Sequence, residues 1–177
     1  FDEHGTRRVA PTADAQPTGS LLCFGGSFMM GEGLAENETL PARLQSELGG
    51  SLRAINFGLH GQGPHQMLAR LESGRVEAMP IPPPRVALYW AIPDHVSRAA
   101  GLRWWDKAGP LYEVQAEGHA KKVGTFADLP GHPLAQPGTT GLASVSWIQR
   151  RKMHSQPKTG PDDLARWTAI VGTARDE

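Results

Sequence analysis

The chain has little of several features that would narrow its function directly. It contains a single cysteine, Cys23, among 177 residues, so it can form neither an internal disulfide nor a cysteine-based metal cluster. Its 18 basic and 18 acidic residues cancel, which gives no electrostatic reason to expect nucleic acid or an anionic membrane as a partner. No apolar run approaches the roughly 18–20 residues of a membrane span. We therefore expect no nucleic-acid binding and no stable membrane insertion.

The bulk composition is that of one soluble α/β domain. With 177 residues and 39% hydrophobic content, the chain is long enough to bury a core. Cys23 lies inside the first apolar run, which predicts a buried, inert thiol. No set of His, Asp and Glu residues has the spacing of a metal site, so we predict neither a metal nor another cofactor.

The most informative stretch is an apolar run that ends at two glycines and a serine. Residues 21–24 are apolar, Gly25 and Gly26 follow, and Ser27 comes next. This pattern predicts a strand and a sharp turn that places one hydroxyl at the carboxyl end of a sheet. Open α/β sheets bind their ligands at that end. The alternative is that Ser27 only caps the next segment.

Two further blocks follow at the ends of apolar runs. The second block runs from Asn56 to Gly58 and precedes a glycine-rich loop, and the third follows residues 86–90 and contains Asp94 and His95. In order and spacing, the three blocks resemble the SGNH (GDSL-type) hydrolase superfamily over about residues 20–101. The resemblance implies a three-layer α/β/α fold with a parallel sheet, like that of flavodoxin.

The same resemblance implies a hydrolase that cleaves an ester through an acyl-serine, for example an acetyl ester on a carbohydrate. Ser27 is the implied nucleophile, and the N–H groups of Ser27 and Gly58 are the implied oxyanion donors. Two alternatives stay open: O-acetyl transfer to a polysaccharide, and a non-catalytic SGNH-like binding module. The implied partner is a small-molecule or glycan ester. The resemblance also fits an extracytoplasmic bacterial location, while the oligomeric state is not indicated.

The chain departs from the family pattern in its first and third blocks. Gly26 stands where the family usually has aspartate, and Pro93 stands where an asparagine usually donates to the oxyanion. Proline has neither an N–H nor a polar side chain, so that donor is absent. An altered or slow enzyme is expected unless another group takes its place.

The family's closing Asp-x-x-His block, which carries the catalytic base, has no clean match in this chain. Asp128 and His132 resemble this block with one extra residue between them. The alternative is that the chain is truncated before the block and the base lies beyond Glu177.

Other candidate site residues follow the second and third apolar runs. Asp94 is a candidate catalytic carboxylate that faces the cleft; the alternative is that it caps the next segment or pairs with Arg98. His95 is a candidate to orient the substrate. His60 is a candidate to line the cleft mouth, with a solvated loop position as the alternative.

The positions of glycine and proline predict how the chain is organised into segments. Residues 1–19 are interpreted as a lead-in and connector, and residues 20–177 as the α/β domain, incomplete at its C-terminus if the closing block is missing. A long irregular insertion is predicted over about residues 101–160, where glycine and proline interrupt every pattern. An amphipathic helix is predicted to close the chain, and its apolar face is lined by Leu164, Trp167, Val171 and Ala174.

Overall fold

The computed structural model describes residues 1–13, 15–129 and 159–176. The chain divides into two compact units, Phe1–Ile92 and Pro93–Asp176. Within the described ranges, no helix combines the length and the apolar character that crossing a bilayer requires.

The first unit is built on a parallel sheet of three strands in the order β2, β1, β3. The strands are β1 (Gly19–Gly25), β2 (Leu52–Asn56) and β3 (Arg85–Trp90). The helices that connect them are α1 (Ser27–Met30), α2 (Leu40–Glu47) and α3 (Pro64–Glu72). This alternation of strands and helices confirms the predicted α/β fold with a parallel sheet.

The central strand β1 is buried along its whole length. A parallel strand covered on both faces reads as a continuous apolar run, which is why its position was visible in the sequence. Cys23 is fully buried there, as predicted, and this burial raises the pKa of its thiol to about 12. Near the carboxyl ends of β1 and β2, the rings of Phe24 and Phe57 stack with their centroids 4.8 Å apart.

Helix α2 begins where its sequence signals predict. The Thr39 hydroxyl accepts a hydrogen bond of 3.4 Å from the N–H of Ala42, and Pro41 lies in the first turn. An N-cap oxygen of this kind satisfies one of the N–H groups that the first turn leaves without an intrahelical partner.

The lead-in lies along β2, which is an edge strand of the described sheet. Arg7 forms an isolated antiparallel bridge with Asn56. From α2, the Gln45 side chain donates to the Ala10 carbonyl at 2.9 Å and accepts from the Ala54 N–H at 2.8 Å. Edge strands present unpaired backbone groups, and these contacts cover part of that edge.

The second unit contains a hairpin within the segment predicted to be irregular. The helices and strands of this unit are α4 (Asp94–Ala99), β4 (Pro110–Val114), β5 (Ala120–Thr125) and α5 (Pro161–Asp176). Strands β4 and β5 pair antiparallel, with a register shift between Leu111 and Tyr112. This irregularity disturbs the period-two alternation that identifies strands. The sequence signal that remains for a hairpin is the glycine of its turn, Gly118, which has a φ of 82°.

Helix α5 forms as predicted, but its inner face is different. Leu164 is exposed, whereas Ala169 and Ile170 are buried. The buried stripe is therefore centred on Ile170, because packing against α4 and the hairpin selects the face. Sequence periodicity places apolar residues on a helix face but does not determine which part of that face is covered.

Candidate active site

Ser27 is the first residue of α1, two positions after the carboxyl end of the central strand. The chain leaves β1 at Gly25 and turns through Gly26, which is the N-cap of α1. A Cβ added to Gly25 would lie 2.9 Å from the Cβ of Met29. The tight turn thus needs glycine at this position. It leaves Ser27 half-buried at the carboxyl end of the sheet.

The end of this short helix is held by a second close approach. Gly31 has a φ of 76°, and a Cβ added to it would lie 2.6 Å from the Cγ2 of Thr39. Its N–H donates to the Ser27 carbonyl at 3.0 Å. The loop after Ser27 therefore closes back on α1.

Asn56 joins the serine block to the second glycine block. Its Nδ2 donates to the carbonyls of Met29 at 3.0 Å and Met30 at 3.4 Å. Its Oδ1 accepts a hydrogen bond of 2.9 Å from the N–H of Gly58. In the sequence, Asn56 was identified only as the first residue of the second block. A polar residue at the end of a buried strand is the signal that indicates such a role, because buried amides need partners.

Gly58 lies directly against α1. A Cβ added there would be 2.5 Å from the Met30 nitrogen, so only glycine fits. The Gly58 N–H, predicted as an oxyanion donor, is directed to Asn56 in this structure. An oxyanion would have to share or replace that acceptor, and the role of Gly58 stays a prediction.

His60 contacts the loop that follows Ser27. Its Nδ1 is 3.0 Å from Oε2 of Glu32, and both side chains are exposed. The Glu32 N–H in turn donates to the Ser27 carbonyl at 3.1 Å. The structure thus brings His60 to the loop that carries Ser27, while its predicted part in substrate binding stays a prediction.

Asp94 lies in the second unit at the start of α4, between two arginines. Its Oδ2 is 2.7 Å from Nε of Arg98, and its Oδ1 pairs with Arg103. The Ser97 hydroxyl also donates to it at 3.3 Å. These contacts match the alternative that Asp94 pairs with Arg98, and its catalytic role is untested.

The remaining candidates of the second unit occupy different environments. His95 is buried, with 1% of its surface exposed, so in this structure it does not present its ring to solvent. Asp128 Oδ2 accepts from the N–H and the hydroxyl of Thr125 at 2.8 and 2.9 Å. These two hydrogen bonds hold the pKa of Asp128 below its usual value. His132 lies outside the described residues.

The described part of the chain holds no group of three or more His, Cys, Asp or Glu side chains arranged to bind a metal ion.

The candidate residues within the described part of the chain fall into two sets. Ser27, Gly58 and His60 belong to the first unit, and Asp94, His95 and Asp128 belong to the second.

Comparison with known proteins gives matches among solved structures alone. No protein-family model matches the chain, and no curated protein does. A crystal structure of AlinE4, described as an SGNH-hydrolase family esterase, is 26% identical with a TM-score of 0.41, and the match covers 50% of this chain and 49% of that one. The chain is similar to SGNH-family esterases.

Two mutants of the same esterase match in the same way. One has an aspartate and the other a serine replaced, at 26% and 25% identity with TM-scores of 0.40, and each match covers 49% of this chain and 46% of the other. The chain spans about half the length of the solved structures it matches.

Proposed function

We propose that the chain carries the nucleophile of an SGNH-type serine esterase, with Ser27 as the attacking residue. The observation that supports this most directly is the position of Ser27. It begins a helix at the carboxyl end of a fully buried central strand, which is where parallel α/β sheets bind ligands. The buried Asn56 amide fixes that helix against the second glycine block.

The proposed reaction has two steps. The Ser27 Oγ bonds to the ester carbonyl carbon, the ester C–O bond breaks, and the alcohol leaves with the proton that a base has taken from Ser27. Water then attacks the acyl-serine and releases the acid and the free hydroxyl. The attack needs a histidine base, for which His132 is the candidate within the chain, and a base beyond Glu177 is the alternative.

The negative charge that develops on the carbonyl oxygen needs donors. The N–H of Ser27 is in the first turn of α1, where N–H groups lack intrahelical partners. We propose it as the main donor, with Gly58 contributing if its hydrogen bond to Asn56 is shared. Pro93 cannot supply the side-chain donor of the family pattern, and losing one such donor typically costs about 2.7–4 kcal/mol of transition-state stabilisation. A slow esterase is therefore expected.

A fluorophosphonate probe tests this proposal, because it reacts with serines that a base has activated. We expect a stoichiometric mass increase that is lost in Ser27→Ala and kept in Ser46→Ala, a control serine exposed on α2. Loss of labelling in His132→Ala would assign the base. Labelling that survives Ser27→Ala, or its absence from both this chain and a longer natural protein containing it, would overturn the proposal. A product that appears only with a glycan acceptor would indicate acyl transfer instead.

A further inference from the structure

Two exposed aromatic rings touch beside Ser27. Phe28 is 62% exposed and Trp90 is 38% exposed. Their ring centroids lie 5.9 Å apart, with the planes inclined at 35°. Phe28 directly follows Ser27 in α1, and Trp90 is the last residue of β3. Both rings therefore lie at the carboxyl end of the sheet.

The fold itself fixes the two rings at this place. Met29, the residue after Phe28, is fully buried against the central strand, so α1 directs Met29 inward and Phe28 outward. On the other side, a Cβ added to Gly25 would lie 3.5 Å from the Cβ of Trp90, which shows that the Trp90 side chain starts against the end of β1. The backbone that carries each ring is thus held by buried contacts.

Such a pair differs from ordinary surface hydrophobics. Single exposed apolar side chains are normal, but contiguous apolar surface often marks a binding site. Aromatic rings supply large apolar area at low cost in conformational entropy, because each has only two side-chain torsions to fix. Here that area adjoins the residue to which an acyl group would become bonded.

We propose that Phe28 and Trp90 bind the apolar acyl group of the ester and favour acyl chains longer than acetyl. This inference rests on the proposed function, since it assigns the substrate class of the same site. The acyl group stays bonded to Ser27 after the alcohol leaves. It therefore remains beside Phe28 through both steps. Contact with the rings stabilises the acylation transition state relative to the free ester, which raises kcat/KM.

The first test is a chain-length series of p-nitrophenyl esters, from acetate through butyrate and hexanoate to octanoate. A fully buried methylene raises kcat/KM by about fourfold, so a partly exposed surface should give about twofold per methylene. We expect Phe28→Ala and Trp90→Ala to flatten the octanoate-to-acetate ratio of kcat/KM. Leu48→Ala, which removes another exposed apolar side chain beyond the end of α2, should leave the ratio unchanged.

The second test measures binding without turnover. Ser27→Ala protein is titrated with octanoate, with acetate as the control, and tryptophan fluorescence is recorded. We expect saturable quenching by octanoate alone, lost when Trp90→Phe removes the reporter and at least fivefold weaker when Phe28→Ala removes the neighbouring ring. Quenching that Trp90→Phe leaves intact would place the ligand elsewhere and overturn the inference.

The two tests separate this inference from the function it rests on. Ester hydrolysis that depends on Ser27 but has equal kcat/KM across the series would overturn the acyl surface and keep the esterase. A preference for acetylated sugars over all longer acyl esters would do the same. Binding of octanoate by the rings without any Ser27-dependent hydrolysis or labelling would keep the surface and overturn the esterase.

Discussion

The side-chain amide of Asn56 donates a hydrogen bond of 3.0 Å to the Met29 carbonyl, although 27 residues separate them. Asn56 is fully buried, and its oxygen accepts from the Gly58 N–H at 2.9 Å. One side chain thus joins the end of β2 to the short helix that begins at Ser27. The position of the proposed nucleophile depends on a residue that takes no part in the chemistry.

We expect Asn56→Ala to lower the free energy of unfolding by about 1–3 kcal/mol, because it leaves the Met29 carbonyl and the Gly58 N–H buried without their partner. Urea unfolding measures this change. Asn37→Ala, at an exposed loop position, should change stability by no more than about 0.5 kcal/mol. Equal effects of the two substitutions would show that the amide bridge does not stabilise the unit.

Two glycines of the loop after Ser27 form a matched pair. Gly31 and Gly33 have φ values of 76° and 80°, but a Cβ on Gly31 would lie 2.6 Å from the Thr39 side chain, whereas Gly33 faces open space. Both alanine variants carry the backbone strain of about 1 kcal/mol. We expect Gly31→Ala to cost about 1–3 kcal/mol more, because Thr39 is buried and cannot move aside. Thermal unfolding of the two variants measures the difference, and equal melting temperatures would contradict the packing argument.

A substitution at Asp94 distinguishes a structural role of this carboxylate from a catalytic one. The substitution Asp94→Asn removes the carboxylate that pairs with Arg98 and Arg103, and both arginine side chains are about nine-tenths buried. Because Asp94 is itself partly exposed, we expect the loss to be about 1–3 kcal/mol rather than the larger value of a fully buried pair. Urea unfolding measures it, with the exposed Glu113→Gln as control. Full stability combined with lost fluorophosphonate labelling would instead indicate a catalytic carboxylate.

The sequence predicted the sheet well because its signals are local. The apolar run of β1, the Thr39 cap and the proline at the start of α3 each act within a few residues of their own position. The hairpin of the second unit was missed because the register shift at Leu111 and Tyr112 interrupts its alternation. The exposure of Leu164 was missed because the covering of a helix face depends on which elements pack against it.

The candidate site divides along the same line. The sequence by itself determined that Ser27 would follow a buried strand and that a second glycine block would follow the next strand. Nearby residues set turns and strand ends, so both features could be read from the order of apolar residues, glycines and serine. Only the tertiary structure decided that Asn56 would hold both blocks, that the Gly58 N–H would meet that amide, and that Phe28 and Trp90 would touch at the surface. The Asn56–Met29 and Phe28–Trp90 contacts join residues far apart in the chain, and packing rather than local preference selects these partners.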